Sequence, residues 1–181
     1  MVGIDIGYVY TPSSNYDTGL VYGAHLFEGS GKIGFGVMAD RFVNSITYAT
    51  VIKSGGEIIT YRYDETFSDF FVSILATYWL KNGGKPSQIL LAMGPQIHFL
   101  TATKEYKLEN YAQSARASRL GFGIMLHYQR RIPAFGSMAL VLNAAYSWAQ
   151  SGALVPDVYE YTPPYESISI TTVTAGLAFP F

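Results

Sequence analysis

The sequence has no cysteine and little charge, since only 14% of its 181 residues are Asp, Glu, Lys or Arg. Without cysteine, a disulfide framework and thiolate metal sites are excluded. A net charge of −1 and the lack of a basic stripe give no electrostatic basis for binding nucleic acid, which we do not expect as a partner. No stretch approaches the ~18–20 consecutive apolar residues of a membrane helix either. A soluble domain has roughly a quarter of its residues charged, so this composition favours a chain that crosses a membrane as β-strands.

What the chain does contain fits that interpretation. Hydrophobic residues make up 49% of it, aromatic residues 15%, and there are 18 glycines. At this length we expect a single domain over residues 1–181. Met1 leads directly into an alternating segment without a basic region and an apolar core, so we expect no signal peptide in this chain. An exported protein would then be present as its mature form or as a fragment.

Alternation of apolar and other residues with a period of two runs through the whole chain and predicts β-strands. Eight strands are predicted, and their alternating segments are Val2–Tyr10, Leu20–Phe27, Ile33–Ile52, Glu57–Leu80, Ile89–Leu100, Arg119–Gln129, Met138–Trp148 and Ser167–Phe181. Short turns are predicted at Gly29–Lys32, Lys81–Pro86 and Arg130–Gly136, and long loops at Thr11–Gly19, Thr101–Ala117 and Ser151–Glu166. The parity changes near Phe42 and Val43, which we interpret as a bulge or a change of environment. Pro95 weakens the predicted pairing of its strand.

The third and fourth strands are longer than the others. Ser45–Ile52 and Glu57–Tyr63 are rich in Ile, Thr, Tyr and Val and flank a Gly-Gly turn, which is typical of a hairpin. Together with the preceding and following alternation, each strand is about twice the ~10 residues that cross a bilayer. We therefore expect Ser45–Tyr63 to project beyond the membrane.

The two strand faces differ in character. One carries nearly all the large apolar and aromatic residues, and the other carries mainly small and polar residues. An eight-stranded barrel has an interior just large enough for side chains to fill, so small and polar residues suit the interior and large ones suit lipid. The sequence thus predicts an all-β, eight-stranded antiparallel up-and-down transmembrane β-barrel. The alternative is a soluble, lipocalin-like barrel that binds a small ligand, with the two faces reversed.

Three segments carry a resemblance to a known family: Val2–Tyr8, Ile89–Pro95 after an Asn-Gly-Gly turn, and Ala175–Phe181. With these, the whole chain resembles the small eight-stranded barrels of the opacity, OmpX and PorT-like outer-membrane family. The resemblance implies a place in the lipid bilayer of the bacterial outer membrane. It also implies that the barrel-insertion machinery reads Phe179 and Phe181 as a C-terminal signal. Pro180 departs from the usual last strand.

Polar residues of the predicted inner face should form a packed network. Its members are Asp5, His25, Asp40, Gln96, His98, Arg119, His127 and Asn143. We expect a pair between Asp5 and His25, Arg119 beside His98, and a partner for Asp40 in Arg119 or a protonated histidine, because an unpaired buried charge is costly. The predicted heights of the three histidines do not allow one shared metal ion, although His25 and His127 could meet across the barrel. We expect no metal and no cofactor.

The predicted function is that of a non-enzymatic outer-membrane barrel, in surface interaction, adhesion or a structural role. No catalytic residue is predicted, because no histidine faces lipid beside a serine or carboxylate; a lipid-modifying outer-membrane enzyme is the alternative. We expect the projecting hairpin to bind an extracellular protein or surface. Its candidate partner-binding residues are Tyr48, Ile52, Ile58, Tyr61 and Tyr63. The alternative is that the neighbouring loops cover this hairpin and make a closed cap.

Overall fold

The structure is a computed structural model that describes residues 1–10, 18–30, 32–54, 57–81, 87–106, 111–149, 155–156 and 168–179. Its strands are β1 (Val2–Tyr10), β2 (Thr18–Ser30), β3 (Ile33–Ser54), β4 (Glu57–Lys81), β5 (Ser87–Tyr106), β6 (Tyr111–Arg131), β7 (Ala139–Ala149), β8 (Val155–Pro156) and β9 (Ile168–Phe179). One 3₁₀ turn, Pro133–Phe135, lies between β6 and β7. Within these ranges, the structure has no helix of the length and hydropathy that crossing a membrane requires.

All strands except β8 form a closed antiparallel ring. Each strand pairs with the next along the chain, and β1 pairs with β9 to close the barrel, from Val2 opposite Phe179 to Tyr10 opposite Thr171. β8 has two residues and pairs with Ala115 and Arg116 of β6. The predicted eight-stranded up-and-down barrel is therefore confirmed.

The large apolar face of the strands points outward, as predicted for a membrane barrel. Tyr8 is 74% exposed and Phe122 49%, whereas Gln129 and Asn143 are buried. Other outward-facing members of this apolar belt are Ile4, Ile6, Phe35, Phe70, Ile74, Ile97, Phe99, Ile124, Leu126, Leu142, Trp148, Val173 and Leu177. A soluble lipocalin-like barrel would bury this face, so that alternative is wrong.

The interior is more apolar than we expected. Two apolar clusters, built from bulky side chains and alanines, fill it above and below a polar layer, because an eight-stranded barrel has just enough interior for side chains to fill. The outer cluster comprises Val9, Val21, Phe42, Phe67, Leu100, Ala102, Ala115, Ala149 and Ile170. The inner cluster comprises Phe27, Met38, Phe71, Leu75, Trp79, Leu90, Ala92 and Met125.

The predicted bulge at Phe42 and Val43 is wrong. β3 keeps its register through both residues, with Val43 opposite Leu20 on one side and Ser68 on the other. The apparent change of parity arises because Phe42 points inward, where it belongs to the outer cluster. The register shift lies instead between Trp79 and Lys81, where β4 pairs with β5.

The predicted loop Thr101–Ala117 is also wrong. β5 continues to Tyr106, β6 begins at Tyr111, and the two strands pair in register up to Tyr106 opposite Tyr111. The segment is polar because the sheet continues beyond lipid and meets water on its outer face, not because the strands end. The other predicted loops, Thr11–Gly19 and Ser151–Glu166, lie mostly outside the described residues.

Candidate functional site

The polar layer inside the barrel forms two hydrogen-bonded groups. In the first, Asp5 accepts from His25 Nδ1 at 3.0 Å and from the Asn143 amide at 3.0 Å. The Asn143 carbonyl oxygen accepts from His127 Nδ1 at 2.7 Å. Because an amide oxygen only accepts, the proton of a neutral His127 is on Nδ1. This group contains the Asp5–His25 pair expected from the sequence.

The histidines of this group also contact each other. The ring centroids of His25 and His127 are 5.2 Å apart, and Phe27 packs against both rings. The two residues thus meet across the barrel, while His98 belongs to the other group. In the part of the chain that the structure describes, no set of three or more His, Cys, Asp or Glu residues is placed to hold a metal ion.

The second group is built around His98. Its Nδ1 lies 2.7 Å from Asp69 Oδ2, and its Nε2 lies 3.2 Å from Gln96 Oε1. The Gln96 amide nitrogen donates to Ser73 and Ser147, which orients Oε1 as an acceptor toward His98. His98 Nε2 therefore donates to Gln96 Oε1, and Nδ1 on the other side of the ring faces the Asp69 carboxyl group. Each buried polar group of this pair thus has a hydrogen-bond partner, which reduces the cost of burial.

Asp69 was not predicted from the sequence. It is fully buried, and it has the inward parity of Phe71 on the same strand. The strand was predicted to span Glu57–Leu80, and carrying the inward parity of Phe71 back by two residues would have placed Asp69 inside.

Asp40 and Arg119 are the remaining predicted members of this network. Asp40 is buried, and its carboxylate lies over Gly23. It is not the partner of His25 or His98, because these histidines pair with Asp5 and Asp69. Arg119 is opposite His98 in the β5–β6 ladder, as predicted, and its guanidinium donates to the Ser118 carbonyl oxygen at 3.0 Å.

The second candidate region is a four-stranded extension of the barrel, which we call the outer sheet. It consists of residues 44–54 of β3, 57–67 of β4, 101–106 of β5 and 111–118 of β6, paired in register. Among the described residues, β2 pairs with β3 as far as Val43, and β7 pairs with β6 as far as Gly121. On the outward face of β4, apolar Phe70, which is opposite Phe99 of β5, gives way to Ser68, Thr66 and Asp64. This change marks the outer limit of lipid, so the outer sheet stands beyond it.

A row of four tyrosines crosses the inward-facing side of the outer sheet. Tyr48, Tyr63, Tyr106 and Tyr111 are directly opposite one another on adjacent strands. Successive ring centroids are 5.1, 5.7 and 6.3 Å apart. The ammonium group of Lys104 lies 4.0 Å from the centroid of the Tyr63 ring, within the range of a cation–π interaction.

The tyrosine row includes two residues that sequence analysis assigned to a partner site and two that it placed in a loop. Burial, with smaller effects of Glu65 and Tyr63, raises the pKa of Tyr48 above its usual value, so the phenol is neutral at physiological pH. Ile52, Ile58 and Tyr61 lie in the β3–β4 ladder, but their side chains are outside the described part of the structure. Their predicted role in partner binding stays a prediction.

No protein-family model and no curated protein matches the chain. Solved structures match it in fold. The crystal structure of Neisserial surface protein A aligns with 99% of this chain and 96% of its own at 13% identity, with a TM-score of 0.62. A major outer membrane protein from Thermus thermophilus aligns with 99% of each chain at 11% identity, also with a TM-score of 0.62.

A third similar structure is the attachment invasion locus protein of Yersinia pestis, in complex with the heparin analogue sucrose octasulfate. It covers 99% of this chain and 97% of its own at 13% identity, with a TM-score of 0.52. This chain therefore has the fold of the small outer-membrane β-barrels. That fold and the outward-facing apolar belt place it in the bacterial outer membrane, in contact with the lipid bilayer.

Proposed function

We propose that this protein is a non-enzymatic outer-membrane barrel that binds a partner outside the cell through the outer sheet. The observation that carries the proposal is the unbroken β3–β4 ladder, which runs from Ile33 opposite Tyr78 to Ser54 opposite Glu57. About 10 residues of each strand suffice to cross the bilayer. The remaining residues form a paired sheet where a simple membrane anchor needs only a turn.

Both surfaces of this sheet have chemistry suited to binding. The outward face is polar, with Ser45 bonded to Thr66 and Thr47 to Asp64. The opposite face presents the tyrosine row. Tyrosine offers a large contact area with few rotatable bonds and a hydroxyl that both donates and accepts, which is why it is enriched at interfaces.

The edge of β3 gives a second means of recognition. Beyond Val43, β3 has β4 on one side and no strand on the other among the described residues. Free backbone donors and acceptors of such an edge can pair with a strand from another chain with little demand on its sequence. An extracellular protein that offers an extended segment is therefore the partner class that this edge favours.

A catalytic role is less well supported. The His–Asp pairs are inside the barrel, where His25 is 3% exposed and His98 is fully buried. A general base must come within hydrogen-bond reach of its substrate, and apolar clusters lie between this polar layer and both ends of the barrel.

The heparin analogue bound to the Yersinia protein is a precedent for ligand binding on this fold.

Deleting residues 46–61 and bridging the ends with a Gly-containing turn tests the proposal. We expect the barrel to remain heat-modifiable on gels, because its membrane-crossing ladder is intact, and we expect binding to host cells or to a captured extracellular protein to be lost. A Tyr48→Ser, Tyr63→Ser double variant should weaken binding without shortening the sheet. The matched control, Tyr146→Ser, removes an exposed tyrosine from the apolar belt. Undiminished binding by the deletion variant would contradict the proposal and leave the hairpin as part of a cap.

A further inference from the structure

The outer wall of the barrel has a groove at the upper edge of the apolar belt. It has a volume of about 750 Å³ and crosses β1 to β5. Its floor is low because Ala24 and Ala39 are opposite each other on adjacent strands, and larger side chains stand around them. The apolar lining includes Ile4, Tyr22, Phe70 and Phe99. A groove on this face of a membrane barrel is open to lipid.

Arg41 lies at the upper end of the groove, on the outward face of β3. It is opposite Tyr22 on β2 and Phe70 on β4, so an aromatic residue lies beside it on each neighbouring strand. The guanidinium Nε donates to Ser68 Oγ at 3.4 Å. No carboxylate forms an ion pair with Arg41 among the residues described. Asp5 also borders the groove, but its carboxylate is bonded to His25 and Asn143 inside the barrel.

The height of Arg41 matches the polar surface of the outer leaflet. Arg41 is eight residues beyond Ile33, the first residue of β3. At ~3.3 Å per residue and a tilt of ~40°, this is about 20 Å along the barrel axis, close to the top of an apolar band of about 25 Å. Ser68 and Thr101 lie one step higher on the same face and also line the groove. The groove therefore joins an apolar lower part to a polar, cationic upper end.

We propose that this groove binds an anionic, phosphate-bearing membrane lipid, with an acyl chain over Ala24 and Ala39 and the phosphate on Arg41. The occupant follows from charge complementarity. A planar guanidinium binds phosphate through paired charge-assisted hydrogen bonds, and Ser68 and Thr101 offer hydroxyls beside it. Anionic lipid is the class that basic side chains at a membrane surface attract. The site is independent of partner binding by the outer sheet.

Native mass spectrometry of the folded, detergent-purified barrel tests the proposal, with phosphatidylglycerol and diacylglycerol of identical acyl chains as probes, since diacylglycerol has no phosphate. We expect Arg41→Gln to weaken phosphatidylglycerol binding by about tenfold or more, because charge-assisted hydrogen bonds are lost, and to leave diacylglycerol binding unchanged. Arg41→Lys keeps the charge without the planar fork, so it should give an intermediate loss. Arg130→Gln is the control, since it removes an exposed arginine at the inner end of the wall.

Ala24→Leu tests the acyl-chain part of the site, because leucine fills the floor of the groove and is well tolerated against lipid. We expect it to weaken phosphatidylglycerol binding with no change of charge. Unchanged binding by Arg41→Gln, or equal losses in Arg41→Gln and Arg130→Gln, would overturn the proposal. If inorganic phosphate displaces the lipid and Ala24→Leu has no effect, the site is a simple anion site and the lipid assignment is wrong. Heat-dependent gel migration establishes that each variant is folded.

Discussion

Ile124→Arg is the substitution that most directly tests which face of the barrel meets lipid. Along β6 the outward-facing residues are apolar from Leu120 to Tyr128, with Ser118 and Arg130 beyond the two ends, so Ile124 is at the middle of the belt. An arginine on the lipid face costs about 2–4 kcal/mol at the bilayer midplane and about 0–1 kcal/mol near the interfaces. At about 3 kcal/mol, the folding equilibrium constant falls by roughly 100-fold.

The matched control is Leu120→Arg on the same strand and the same face. Leu120 is four residues from Ile124, which is about 10 Å along the barrel axis at ~3.3 Å per residue and a tilt of ~40°. We therefore expect a loss of about 1 kcal/mol or less. Leu140 should also tolerate arginine, because it is the second residue of β7, opposite Arg130, and therefore lies near the inner end of the barrel wall.

Reversible urea unfolding from phosphatidylcholine vesicles, followed by gel migration without heating, measures these free energies. The reasoning depends on a difference between Ile124 and Leu120, not on the absolute values. Equal losses at the two positions would mean that this face does not span a bilayer, and the orientation of the apolar belt would have to be abandoned.

Two further predictions concern the barrel interior and its assembly. Asp69→Leu should lower the free energy of unfolding by about 3–5 kcal/mol in the same assay, because it leaves His98 buried without its carboxylate. The Asp69→Leu, His98→Leu double variant should lose less stability than the two single variants added together. Strict additivity would show that the residues are not coupled. In a reconstituted assay with purified insertion machinery, Phe179→Ala should slow membrane insertion more than Val173→Ala does. Both residues face outward from β9, but only Phe179 is at the end of that strand. Equal insertion rates for the two variants would argue against a C-terminal signal.

The amino-acid sequence alone determined the number of barrel strands, their order and the face that meets lipid. These properties depend on a period of two and on the side-chain sizes of each face, which are local features of a strand. The length of β3 and β4 was equally readable, because β-branched and aromatic residues continue on both sides of the Gly-Gly turn. The Asp5–His25 pair could be foreseen because β1 and β2 are adjacent and joined by one loop.

Only the tertiary structure decided how the interior is divided and how far β5 and β6 extend. The pairing of Asp69 with His98 and of His127 with Asn143, and the apolar clusters around them, depend on the stagger of the strands around the ring, which alternation does not specify. Phe42 looked like a defect in the pattern because a single strand cannot show that an aromatic side chain fills the barrel end. Tyr106 and Tyr111 looked like loop residues because polar neighbours surround them. They become part of a row only when the four consecutive strands β3 to β6 are aligned in register.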